Sequence, residues 1–329
     1  MKPPGTLLLQ RSQVAELLSL DECIAAVEEA FRLQGEGKLA SHGALSTHFP
    51  GGGFHIKTAM NATRAYYAAK LNGNFPANPE RCGLPTIQGL IALCDAANGS
   101  PLAVMDSIEI TILRTGAATA VAARRMARAN STVATICGCG NQGRVQLRAI
   151  ARVLPSARAY AFDLNPGAAA GFAREMAAEL GIEVNADSDI NAALGASDVC
   201  VTCTPSQRFF IHREAVRPGT FIAAVGADNP YKQELQPELL AGARVVADDA
   251  MQCASMGELH HAIEKGLMTA EECADLAEVV AGRKPGRASD EEITIFDSTG
   301  VALEDVAAAV IVYEKAMRNG IGSSIEFAA

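Results

Sequence analysis

Six residues, Gly138-Cys-Gly140-Asn-Gln-Gly143, constrain what this chain can fold into more than any others. They follow a β-prone run, Thr132–Cys137, and open a stretch with helical spacing, Asn141–Val153. In a strand–turn–helix of this kind the first glycine permits the tight turn and the second lets the backbone approach a pyrophosphate. The third lets the helix pack closely, with its N-terminus facing the anion. An acid about twenty residues on, Asp163, ends the next β-prone run. A carboxylate there accepts hydrogen bonds from a ribose hydroxyl and repels a 2′-phosphate, so NAD is expected over NADP.

The pattern around this turn repeats as strand and helix. Ala157–Phe162, Val199–Cys203, Phe221–Val225 and Arg244–Ala247 read as strands, and Pro166–Leu180 as a helix. Such alternation implies a doubly wound, Rossmann-type parallel sheet. The region from Ser41 to Val104 differs. Short runs such as Phe54-His-Ile-Lys-Thr, Tyr66-Tyr-Ala-Ala-Lys-Leu and Thr86-Ile-Gln-Gly-Leu-Ile-Ala-Leu are broken by Gly, Pro and Asn clusters. With Asn98-Gly99 as a hairpin turn, they predict an antiparallel sheet. Helices are expected over Leu18–Leu33, with Asp21 as N-cap, over Thr111–Arg128, and from the Phe296-Asp-Ser-Thr-Gly300 segment to about Met317. Gly282–Arg287 reads as an exposed loop. The fold class is therefore α/β with a second α+β domain. Residues 1–116, completed by 303–329, are expected to bind substrate and dimerise, and 117–302 to bind the dinucleotide.

Net charge is −9, which argues against nucleic acid, whose phosphates need clustered Lys and Arg. No stretch approaches the roughly 18–20 apolar residues that span a bilayer. The N-terminal run Thr6-Leu-Leu-Leu-Gln10 is too short for the core of an export signal, so the cytoplasm is expected. Nine cysteines, scattered through apparently apolar segments, read as reduced and mostly buried. Cys200-x-x-Cys203 lacks a second pair with zinc spacing, so no metal is expected. His260-His261 reads as a solvated or capping helical pair.

Ligands of doubly wound sheets sit beyond the carboxyl ends of the strands. Two such ends stand out: Thr202-Cys-Thr204-Pro205, and Val225-Gly-Ala-Asp228-Asn-Pro-Tyr-Lys232. Asp228 falls where a nicotinamide ring is expected and is a candidate for proton transfer or for a helix cap.

Several stretches resemble one family. They are Lys70-Leu-Asn-Gly-Asn-Phe-Pro, Gly83-Leu-Pro-Thr86-Ile-Gln-Gly, Asp95 with Gly99-Ser-Pro-Leu-Ala, and Met105-Asp106. Thr111-Ile-Leu-Arg114-Thr-Gly-Ala, Gly138-Cys-Gly-Asn-Gln142, Gly226-Ala-Asp228 and Phe296-Asp-Ser-Thr-Gly300 complete the set. In this order they are similar to the ornithine cyclodeaminase/μ-crystallin family. The resemblance implies a homodimer whose C-terminal helix returns to the first domain. It matches Lys70 to the lysine that holds the substrate carboxylate or polarises the reacting carbon–nitrogen centre. Arg114 matches the arginine that pairs with substrate carboxylate and cofactor, as its planar fork suits. Asp228 matches the acid that handles the substrate nitrogen or a water. Thr86, Thr115, Gly138, Gly140, Asn141, Gln142, Asp163, Thr204, Lys232 and Ser298 match cofactor-contacting positions.

The chain departs from the family at two places. No arginine stands in the Ser41-His42-Gly43 segment, where His42 is nearest. Lys57-Thr58-Ala59 replaces the usual Met-Pro-Ala, after Phe54-His55-Ile56. A cyclodeaminase acting on ornithine needs an acidic partner for the terminal ammonium, and Lys57 is the wrong sign. A substrate with a neutral side chain or a second carboxylate fits better. The expected function is thus NAD(H)-dependent interconversion of an imino acid and an L-amino acid, with Lys57, Lys70 and Arg114 on the substrate. The alternatives are a redox-neutral cyclodeaminase lyase and a dinucleotide-binding protein without turnover.

Overall fold

A computed structural model describes residues 5–39, 43–61 and 63–327. Ser41 and His42 lie outside the described residues. In chain order the first elements are β1 (Thr6–Leu9), α1 (Arg11–Leu17), α2 (Leu20–Gly35), β2 (Gly43–Phe49), β3 (Gly52–Asn61) and β4 (Tyr66–Asn74). Then come α3 (Asn78–Cys82), β5 (Ile87–Asp95), β6 (Pro101–Asp106), α4 (Ile108–Met126), β7 (Val133–Cys137), α5 (Asn141–Val153), β8 (Arg158–Phe162) and α6 (Pro166–Leu180). β9 (Glu183–Ala186), α7 (Ile190–Ala196), β10 (Val199–Thr202), β11 (Gln207–Ile211), β12 (Phe221–Ala224), β13 (Gln233–Leu235), α8 (Pro237–Ala241) and β14 (Arg244–Ala247) follow. The chain ends with α9 (Ala250–Met256), α10 (Glu258–Glu264), β15 (Ala274–Asp275), α11 (Leu276–Val280), β16 (Thr294–Asp297), α12 (Ala302–Asn319) and β17 (Ser323–Ile325). Two compact units result. One runs up to Arg114 and resumes at Val301, and the other spans Thr115–Gly300.

The first unit is built on a seven-stranded sheet, ordered β17-β1-β6-β5-β4-β3-β2. Strands β2 to β6 form an antiparallel meander. Gly99, with φ +78°, closes the β5–β6 hairpin, where Asp95 binds the turn through the Ala97 N–H. Side-chain alternation gives the sheet two faces. Ala59, Ala68, Lys70, Ile91 and Leu93 are buried on one, which α12 covers over β3 and β4, with α2 packed on α12. Leu45, Phe54, Tyr67, Leu71 and Leu90 are exposed on the other. The short apolar run at the N-terminus is strand β1, parallel to β6 and antiparallel to β17; four residues carry too little periodicity to announce a strand. The N-cap of α2 is Ser19 and not Asp21. The Ser19 hydroxyl accepts the Glu22 N–H, and the Glu22 carboxylate accepts the Ser19 N–H in return, a capping box.

The second unit carries an eight-stranded sheet, ordered β15-β14-β16-β12-β10-β7-β8-β9, with every pair parallel. From β7 the order runs outward to β8 and β9 on one side and to β10, β12 and β16 on the other. This is the expected doubly wound arrangement, with its switch point between β7 and β10. Strands β10, β12 and β16 are buried throughout, as a sheet covered on both faces requires. The Gly282–Arg287 segment is less solvated than expected at its end. The Arg287 guanidinium donates to the carbonyls of Met126 (2.6 Å), Glu292 (2.6 Å) and Gly219 (3.2 Å).

Candidate active site

In the second unit the glycine turn has the geometry of an anion cradle. Gly138 adopts φ +101°, and a Cβ there would meet Cys203 O at 2.9 Å. A Cβ on Gly143 would lie 2.1 Å from Gly138 O, so this glycine is what lets α5 approach the turn. A Cβ on Gly140 would meet no atom within 4 Å, so the backbone stands open at the helix N-terminus. Asp163 is fixed at the end of β8. Its Oδ2 accepts the Cys139 N–H at 2.9 Å and its Oδ1 the Asn165 N–H at 2.8 Å. Gly138, Gly140, Asp163 and Thr204 line one cleft of about 620 Å³, walled by Phe162, Leu164 and Phe210. Gln142, in the first turn of α5, buries an amide oxygen that has no hydrogen-bond partner. Closed glycines on each side of an open one, a fixed acid and an orphaned acceptor fit a dinucleotide. Asn141 is exposed beside them.

The other expected cofactor residues hold positions of different kinds. The Thr204 hydroxyl donates to Glu234 Oε1 at 2.6 Å, so its proton is already committed. Ser298 is buried and donates to Asp248 Oδ2 at 2.9 Å. Lys232 Nζ donates to the exposed Asp228 at 2.7 Å, so these two form one cation–acid pair. Thr115 is buried within α4, and its carbonyl accepts from Thr119 at 3.3 Å. Thr86 belongs to the first unit, where its carbonyl accepts the Phe75 N–H at 2.8 Å.

The first unit brings Lys57, Lys70 and Arg114 together with two acids that sequence reasoning missed. Lys70 Nζ lies 2.6 Å from Asp305 Oδ2. Arg114 Nη1 lies 2.8 Å from Glu304 Oε2, and its Nε 3.3 Å from Asp305 Oδ1. Lys70, Arg114, Glu304 and Asp305 are all buried. Lys57 stands opposite Lys70 in the β3–β4 register, so the two share a face. Lys70 is lowered to about 7: burial pushes it down most, Asp305 offsets part of that, and Arg114 and Lys57 push it further down. Burial alone would raise Asp305, but the charges of Lys70 and Arg114 outweigh it and hold the carboxyl below its ordinary value. Glu304 and Asp305 sit in the first turn of α12, where acids commonly answer the helix dipole. That ordinary explanation hides them in a sequence.

Other chemically capable groups lead elsewhere. Burial raises the Cys139 thiol to about 12, which keeps it neutral. Among the described residues His260, His261 and Glu264 are the one group spaced to hold a metal. The pair is half-buried rather than solvated, and His261 Nε2 lies 2.8 Å from Lys232 O. A second cleft near the amino end of β14 contains Arg244 and Lys284, both matched by acids, Glu292 and Glu278, at 2.8 Å.

A doubly wound sheet with this cradle, in a chain that also buries a lysine and an arginine against paired acids, defines a dinucleotide-dependent oxidoreductase. The chain belongs to the ornithine cyclodeaminase/mu-crystallin family, whose model matches residues 5–320. It is similar to an archaeal alanine dehydrogenase dimer with bound NAD, at 42% identity and TM-score 0.94, over 98% of this chain and 99% of that one. It is also similar to the Δ1-pyrroline-2-carboxylate reductase of Thermococcus litoralis, solved with NADH and L-proline. There identity is 33% and TM-score 0.92, over 97% of this chain and 100% of the other. The iminosuccinate reductase of Paracoccus denitrificans, solved with NAD+, matches at 31% identity and TM-score 0.92, over 98% and 100%. No described helix is long and apolar enough to cross a membrane.

Proposed function

We propose that this chain is an NAD(H)-dependent oxidoreductase interconverting an imino acid (a ketimine) and an L-amino acid. The observation that carries the reading is the cleft at the ends of β7, β8 and β10, with its open Gly140 backbone and fixed Asp163. NAD(H) supplies a hydride acceptor or donor at its nicotinamide C4 when bound. Gly138, Gly140, Asn141 and Gln142 hold the pyrophosphate side, and Asp163 the adenosine ribose. Thr204 and Ser298 shape the crevice.

Lys70 and Arg114 bind the substrate carboxylate. Their acids, Asp305 and Glu304, balance two cations that burial would otherwise make too costly to keep charged. A carboxylate held by two fixed cations orients the carbon–nitrogen centre before reaction. Asp228, paired with Lys232, exchanges a proton with the substrate nitrogen. Lys57 faces the substrate side chain. The cyclodeaminase reaction on ornithine fits less well, because a terminal ammonium would enter a face already carrying Lys57 and Lys70.

The first unit is the substrate-binding and dimerisation domain. Leu45, Ile56, Leu71 and Leu90 form one cross-strand row on the uncovered sheet face, with Leu45 61% exposed. An apolar row of that kind marks an interface, and a second copy of the chain covers it in a cytoplasmic homodimer. Amino-acid oxidation tests the enzymatic reading. A panel of L-amino acids with NAD+ should yield NADH with at least one member, and no NADH from any member would refute it.

A further inference from the structure

Three fully buried acids stand in series behind the carboxyl ends of the second unit's strands. Asp297, ending β16, accepts the N–H groups of Glu258 (3.2 Å) and Leu259 (2.8 Å) at the start of α10. The Glu258 carboxylate in turn accepts the N–H groups of Glu234 (2.6 Å) and Leu235 (3.0 Å). The Glu234 carboxylate then reaches two loops at once. Its Oε1 accepts the Thr204 N–H at 2.7 Å and the Thr204 hydroxyl at 2.6 Å, after β10. Its Oε2 accepts the Gly226 N–H at 3.0 Å, after β12.

Backbone N–H groups left beyond strand ends must find acceptors when buried, and a carboxylate supplies two in a fixed plane. The chain leaves room for this. A Cβ on Gly226 would come within 2.4 Å of Glu234 Oε2, and one on Gly257 within 2.6 Å of Asp297 Oδ2. The clamp bears on the cradle through Thr204, because Thr204 Cγ2 and Cys203 O are the neighbours that a Cβ on Gly138 would strike.

We propose that Glu234 is a positioning residue for the dinucleotide, fixing the Thr204 loop and the Gly226 loop relative to each other and so shaping the crevice that receives NAD(H). Glu258 and Asp297 hold Glu234 in place through its backbone. The inference rests on the dinucleotide reading above, and wild-type binding of NADH tests that reading separately.

Two substitutions disturb the clamp in different ways. Glu234→Gln keeps the shape but turns an amide N–H toward one of the donors, releasing one loop. Gly226→Ala keeps the charge and displaces the carboxylate. With wild type binding NADH, each folded variant should raise the NADH Kd by about tenfold or more, the scale of one lost charged hydrogen bond. If Glu234→Gln does not fold, Thr204→Val, which removes one of the three bonds, takes its place. A folded variant with lowered Tm but wild-type NADH Kd would overturn the proposal and leave Glu234 a structural acid.

Discussion

Lys70 on β4 and Asp305 on α12 form a buried ion pair, Nζ to Oδ2 2.6 Å, and the same carboxylate reaches the Arg114 guanidinium. The pair keeps a cation inside the fold where burial would otherwise strip its proton. Lys70 is lowered from 10.5 to about 7 even with Asp305 beside it. Because the folded value lies below the unfolded one, the cost of burying this ammonium is fullest below pH 7 and fades as pH rises toward 10.5.

Catalysis has the opposite preference if charged Lys70 binds the substrate carboxylate. In the free enzyme kcat/KM for an imino acid should fall as pH rises through about 7. Asp305→Asn removes the group that raises Lys70, so this limb should move to lower pH. The same substitution leaves a buried cation unmatched and should lower stability by roughly 3–5 kcal/mol. A pH profile of kcat/KM for both proteins decides it. An unmoved alkaline limb in the folded variant would separate Asp305 from Lys70's charge.

If Asp163 holds the adenosine ribose as proposed, its charge sets the choice of dinucleotide. Wild type should prefer NADH to NADPH, and Asp163→Ser should shrink the preference by removing the charge that repels a 2′-phosphate. The comparison of kcat/KM for the two cofactors checks this. A wild-type preference for NADPH would contradict it.

Asp228 is exposed and bound to Lys232, so its role is separable from folding. Asp228→Asn should reduce kcat by roughly 10²–10⁴-fold, the range for general acid–base groups, with little change in NADH affinity. Near-normal turnover would make Asp228 a loop residue without a chemical part.

If Lys57 faces the substrate as proposed, it reports on the substrate's side chain. It lies opposite Lys70 in the register, on the same face of the sheet. Lys57→Met should weaken kcat/KM for the true substrate by roughly 1.5–3 kcal/mol, the scale of a hydrogen bond to a charged group. Small neutral imino acids should be spared or improved. Equal kinetics for variant and wild type across an imino-acid panel would remove Lys57 from the pocket and reopen ornithine as a substrate.

The dinucleotide cradle was legible in the sequence because its parts are local. A strand, three glycines, a helix and Asp163 follow one another within one βαβ unit, and each has a residue type that few other roles demand. Lys70, Arg114 and Asp228 stood out as candidates only through family resemblance; Lys70 and Arg114 meet the same buried acid in the first unit, and Asp228 is an exposed residue of the second. Asp305 was not legible at all. It joins Lys70 and Arg114 by tertiary packing of α12 on the sheet, while in sequence it is one more acid in the first turn of a helix. Glu234, Glu258 and Asp297 escaped for the same reason, since each acts on backbone N–H groups that carry no sequence signature. The cap of α2 failed at closer range. Ser19 and Asp21 are both good caps, and only Ser19 has Glu22 three positions on to complete the box.

Net hydride transfer between NADH and a carbon–nitrogen double bond can be followed by mixing the enzyme with NADH and a panel of cyclic and acyclic imino acids and measuring NADH, ammonia and the amino acid formed. The expected result is stoichiometric loss of NADH with appearance of one L-amino acid. No net NADH change with any imino acid, together with ammonia release from added ornithine or lysine, would contradict it and assign the redox-neutral reaction instead.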